Sequence, residues 1–87
     1  MTMANPNSRE DRYSTSDTPL AAYLQTEGFE LIDIIHGQRA EFVFLNDSTK
    51  LQEFIRLYLA GKAKVEPSLF LRNHRNLSRK AREGLSI

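Results

Sequence analysis

Cysteine and tryptophan are absent from the 87-residue chain, and histidine occurs only twice. Without thiols neither a disulfide framework nor a thiolate zinc site can form, which removes the usual reinforcements of a small domain. Runs of strongly apolar residues go no further than the four from Phe42 to Leu45, far short of a membrane span, and no apolar segment follows a basic start as in a secretory leader. The expectation is a cytoplasmic protein without membrane association, in which Asn46-Asp47-Ser48 and Asn76-Leu77-Ser78 stay unglycosylated. A glycine-rich phosphate loop, a second basic helix and an internal repeat are lacking too.

What is present is unevenly placed. Every Leu, Ile, Val and Phe lies beyond residue 16, and the opening MTMANPNSREDRYSTS is polar and charged apart from Tyr13 and two methionines. Residues 1–16 therefore read as a disordered tail, and residues 17–87 as one domain near the size at which a single core is only marginally sufficient.

Within that domain the punctuation is readable. Thr18-Pro19 suits an N-cap followed by proline in a first turn, with Asp17 beside the positive helix end. Leu20, Tyr23 and Leu24 then share a helical face, and Gly28 supplies a left-handed stop. FELIDIIH and QRAEFVFLN, joined through Gly37, have the β-branched and aromatic content of a hairpin. Strict alternation puts Ala40, Phe42 and Phe44 on one face and Glu41, Val43 and Leu45 on the other, with Ile32 and Ile34 opposing Phe29, Leu31 and Ile35. Both faces are then substantially apolar, which calls either for helices wrapped over both or a strongly twisted sheet, or for pairing with another copy, with Val43 and Leu45 as candidates for self-association.

Asn46-Asp47-Ser48 offers caps for a second helix striped by Leu51, Phe54, Ile55, Tyr58 and Leu59, and Gly61 ends it. Glu66-Pro67 opens a third, in which Phe70, Leu77 and Ala81 fall together with Asn73 and His74 at their flanks. The predicted fold class is α+β, a single small domain of order α-β-β-α-α whose two-stranded antiparallel hairpin is packed by helices.

Charge is polarised: residues 17–61 carry seven acids against three bases, and residues 62–87 carry seven bases against two acids. In the third helix Arg72, Arg75, Arg79 and Arg82 fall within an arc of about 80°, opposite the apolar stripe. Lys80, Lys62 and Lys64 extend the basic field. Guanidinium groups offer paired donors to phosphate oxygens, so the row is a candidate site for nucleic acid or another anionic partner. The competing explanation is an ordinary solvated face, since amphipathic helices need charge outside and cations suit a helix C-terminus. A third is contact with an acidic protein surface, including Asp33, Glu41, Asp47 and Glu53 of a second copy or of the same chain.

Catalysis finds little support. His36 falls at the hairpin turn and His74 beside the helical apolar face, with no nucleophile adjacent to either in sequence. Glu30 and His36 share strand parity with Asp33 between them, but without Cys or a His-rich cluster a metal site needs ligands brought together by folding, so neither metal nor cofactor is expected. Tyr23, Tyr58, Phe42 and Phe44 read as core rather than as base-stacking platforms. The functional expectation is a non-enzymatic accessory protein, either binding nucleic acid through the basic helix or serving as a protein-interaction module.

DTPLAAYLQTEGFELI, EFVFLND, FIRLYLAGKAKVEP and SLFLRNHRNLSRKA, spanning roughly Asp17 to Arg82, together resemble a small bacterial and phage domain family known only as a domain of unknown function. Leu77-Ser78 stands where such sequences often have Leu-Lys. The resemblance implies the same helix, hairpin, helix, helix order and a setting among mobile or viral genes, and it assigns no functional residue.

Overall fold

Asp17 organises the first junction of the chain. In the computed structural model, which describes residues 12–46 and 49–87, its carboxylate accepts from the Leu20 N–H at 3.1 Å and so caps α1 (Thr18–Thr26). Asp17 is thus the cap, Thr18 the first helical residue and Pro19 part of the first turn, one position earlier than the sequence suggests. A carboxylate accepts backbone N–H bonds more strongly than a hydroxyl and also meets the positive helix end, so it wins the position. The Asp17 N–H in turn donates to Thr15 Oγ1 at 3.1 Å, tying α1 to the strand before it.

That strand, β1 (Arg12–Thr15), corrects the tail assignment, which ran to residue 16. It pairs antiparallel with β3 (Glu41–Leu45), whose other edge carries β2 (Leu31–Ile35), giving a three-stranded sheet of order β1-β3-β2. The element order is β-α-β-β-α-α, completed by α2 (Thr49–Leu59) and α3 (Pro67–Glu83), and the α+β class stands. RYST hides its strand character because four polar-rich residues carry almost no local signal. What holds them is pairing with β3 and Tyr13 reaching the core from opposite Phe44. The rest of the expected tail, residues 1–11, and the cap residues Asp47 and Ser48 lie outside the described residues.

Sheet parity is also altered. Leu31 pairs with Phe44 and Asp33 with Val43, so Ile32 is an extra residue, a bulge. Leu31 and Ile34 consequently share the core face with Phe42, Phe44 and Tyr13, although strict alternation separates Leu31 from Ile34. The helices cover that face. The other face carries Arg12, Ser14, Asp33, Ile35 and Glu41, all exposed, as expected of an antiparallel sheet with one solvated side. Val43, on the central strand between Ser14 and Asp33, is only 3% exposed and Leu45 is half-buried, so Val43 is not available for self-association.

Five consecutive residues of α1, Leu20 to Leu24, are buried, which requires cover all round the helix. Its most extensive neighbour is α3, which contributes Leu77. α2 contributes Leu51 and Ile55, stacks Tyr58 on Tyr23 at a ring separation of 6.0 Å and sets Phe54 tilted against the same ring at 6.1 Å. That contact centres the packed face of α2 between Tyr58 and Leu51 and leaves Leu59 about 90° away. Leu59, expected in the stripe, is 73% exposed. α1 closes by a Schellman turn: with Gly28 at φ 97°, the Phe29 N–H reaches the Leu24 carbonyl at 3.0 Å and the Gly28 N–H reaches Gln25 at 3.1 Å.

Candidate nucleic-acid interface

α3 begins where Glu66 and Pro67 place it. The Glu66 carboxylate accepts from Leu69 N at 2.8 Å and Ser68 N at 3.1 Å, while Pro67 occupies the position where a missing N–H is harmless. It ends at Gly84, whose left-handed backbone (φ 70°) lets the Leu85 N–H return to the Lys80 carbonyl at 2.9 Å. The chain then turns toward the β2–β3 hairpin, where His36 Nε2 donates to the Leu85 carbonyl at 2.9 Å.

The rotation of α3 about its own axis decides what faces water. Leu77 is buried against α1, and Asn73 Nδ2 donates to Thr26 Oγ1 at 3.0 Å. Thr26 Oγ1 itself donates to the Ala22 carbonyl at 2.7 Å, so a polar chain pins Asn73 to the end of α1. With Leu77 and Asn73 turned inward, Arg72, Arg75, Arg79 and Arg82 point outward, and all four are exposed.

Their electrostatic state is simple. Arg79 Nη1 lies 3.7 Å from Glu83 Oε1, a half-exposed pair one helical turn apart, and no carboxylate among the described residues pairs with Arg72, Arg75 or Arg82. Such a pair is worth only a few tenths of a kcal/mol at about the i,i+4 spacing seen here, so it does not remove Arg79 from use. The row spans about 15 Å along the axis at 1.5 Å per residue.

Not every candidate joins it. Lys80 is half-buried and lies about 120° round from the centre of the row, at the margin of the packed face. Lys62 and Lys64 are exposed in the segment that precedes α3, before the helix starts. Two residues overlooked in the sequence share the exposed arc: Asn76 and Leu71, the latter 56% exposed. The helical wheel that aligned the arginines contains both, but attention to charge passes over them.

Elsewhere the chemistry is sparse. Open depressions among the described residues include one along the hairpin from Ile35 to Glu41 that includes His36, and another on the outer side of α2 between Glu53 and Lys62. Neither lining sets a nucleophile beside a base. The His74 ring lies tilted beside Phe70, with ring centres 6.0 Å apart, as a residue at the margin of a packed face does. Among the described residues no group of three or more His, Asp or Glu could hold a metal ion, and no helix is long and apolar enough to cross a membrane.

No curated protein and no solved structure matches the chain. A family model does, over residues 10–83, a span that takes in β1, all three helices and the arginine row, and the chain therefore belongs to the domain of unknown function DUF5659.

Proposed function

We propose that the protein is a non-enzymatic accessory protein that binds nucleic acid through the outer face of α3. The observation that carries this reading is the row Arg72, Arg75, Arg79 and Arg82, exposed on one face and, for three of the four, without a carboxylate partner among the described residues. Phosphate neutralisation by such a row releases counterions, which makes binding sensitive to salt. Lys62 and Lys64 add positive potential ahead of the helix, and Lys80 adds it from the flank. A cytoplasmic location and a role among bacterial or phage accessory genes accord with this activity.

The test is fluorescence anisotropy with labelled DNA over a salt series. Four phosphate contacts predict a log–log slope of about −3 to −4, and reversal of two exposed arginines, Arg75→Glu with Arg79→Glu, abolishes binding while leaving the fold intact. Absence of binding at low salt overturns the proposal.

A second reading, a protein-interaction module, draws on the outer face of the sheet, where Ile35 is 50% exposed beside Glu41 and Asp33. Contact between that acidic face and α3 of another copy predicts a mass above the monomer in light scattering at low salt, reduced by Ile35→Lys. A monomer at every concentration excludes self-association and leaves only a foreign partner for this reading.

A further inference from the structure

The nucleic-acid reading leaves the form of the polymer open, and the side chains around the arginine row narrow it. We infer that α3 seats lengthwise in the major groove of double-stranded DNA, with its arginines shared between the base edges and the phosphates that flank the groove; this rests on the reading above and specifies its ligand.

Single strands are recognised chiefly by stacking bases on exposed aromatic rings. This chain has eight aromatic residues, and every one is buried or half-buried: Tyr13, Tyr23, Phe29, Phe42, Phe44, Phe54, Tyr58 and Phe70. No Phe or Tyr ring is left as a platform, and the exposed imidazole of His36 lies at the hairpin, bonded to the Leu85 carbonyl. A-form RNA presents a major groove too deep and narrow for a helix, whereas that of B-DNA, about 12 Å wide, admits one whose diameter with side chains is about 10–12 Å.

α3 also has the exposure that seating requires. From Leu71 round to Asn76, an arc of about 140°, every residue of the helix from Ser68 onward is exposed. End-on docking to a phosphate is closed off, because Glu66 already occupies the first amides and brings negative charge to that end. The side of the helix is what remains.

Apart from Ser68 and the acidic Glu83, the residue types on that arc suit base edges more than phosphates alone. Its cations are all arginine, and arginine reads the two acceptors of guanine as a fork, a geometry lysine cannot copy. Asn76 carries the amide that pairs with adenine in the same way, and Leu71 offers an apolar surface of the kind that meets a thymine methyl. An apolar residue 56% exposed beside Arg75 is otherwise a liability in water.

The experiment uses the full chain and three labelled probes of one mixed sequence: a DNA duplex, its single strand and the matching RNA duplex. At equal salt the DNA duplex is expected to bind about tenfold or more tightly than either alternative. Methyl green, which occupies the major groove, displaces the protein, and netropsin, which occupies the minor groove, does not. Leu71→Ser and Asn76→Ala, both at exposed positions, each lower duplex affinity by about threefold or more with the salt slope unchanged, because neither alters charge. Equal binding to all three probes, or displacement by netropsin alone, overturns the groove assignment while leaving nucleic-acid binding in place. No binding to any probe overturns both.

Discussion

The Tyr58 hydroxyl faces the Asp17 carboxylate, 3.3 Å from each of its oxygens, so one residue caps α1, meets Thr15 at the end of β1 and receives the ring edge of α2. Two contacts at that length share a single proton and are each weaker than an ordinary hydroxyl–carboxylate bond. The cap is therefore the larger part of what Asp17 does. Asp17→Ala is expected to cost about 1–2 kcal/mol and Tyr58→Phe less than about 1 kcal/mol, with the double variant costing less than the sum. Urea denaturation of the three variants checks the order; an equal or larger loss for Tyr58→Phe refutes it.

The same contact gives the fold an alkaline limit. Burial first, then the neighbouring Asp17 charge and its hydrogen bond, raise the Tyr58 pKa above its ordinary 10.0. Tyr23 is raised as well, by burial and then by Glu27. A raised folded-state value means that the unfolded chain ionises first. The contribution is therefore complete below pH 10 and is lost as pH climbs beyond it toward the folded values. Thermal melts above pH 10 should fall more steeply for the natural chain than for Tyr58→Phe; identical slopes would contradict the assignment.

β1 supplies a third prediction. Because Arg12–Thr15 pairs with β3 along its length and Tyr13 packs on the core, a chain starting at Ser16 leaves β3 with a bare edge and removes an aromatic from the core. Such a truncation should lose cooperative thermal unfolding, seen in circular dichroism as a shallow or missing transition. An unchanged melting temperature would mean that the strand contributes nothing to stability.

What was legible in the sequence follows from which forces are local. Proline, glycine and capping acids act on their immediate neighbours, so Pro19 and Gly28 mark the ends of α1, and Glu66 and Pro67 the start of α3, to within a residue or two. The arginine row was legible for a related reason, since one helix of regular pitch fixes its relative directions. β1 was not, because its stability comes from residues some thirty positions away in the chain. The Ile32 bulge was hidden likewise, as an apolar run fits either parity until its partner strand selects one. Leu59 fits the stripe of α2 perfectly well, but periodicity does not say how wide a face the neighbours cover.

Leu59 and Leu77 turn that difference into a measurement. Both fall on apolar stripes in the sequence, yet one is 73% exposed and the other 1%. Leu77→Ala opens a cavity beneath α3 and should cost about 2–5 kcal/mol, whereas Leu59→Ser should stay within about 0.5 kcal/mol of the natural chain. Comparable losses at the two positions would restore the wider stripe that the sequence suggests.

Glu83 is the acid nearest the arginine row in the described structure, 3.7 Å from Arg79, and it decides how much of the row's field reaches a ligand. Glu83→Gln removes a negative charge from the exposed arc and with it the weak competitor for Arg79, while forfeiting a surface pair worth at most about 0.5 kcal/mol of stability. DNA affinity should rise about two- to fivefold at low salt, and the gain should shrink as salt screens it. Glu53→Gln on α2 makes the same change in net charge away from the row and serves as the comparison. If both variants bind equally more tightly, the gain comes from overall charge and Glu83 does not restrain Arg79; a gain confined to Glu83→Gln ties the binding energy to that face of α3.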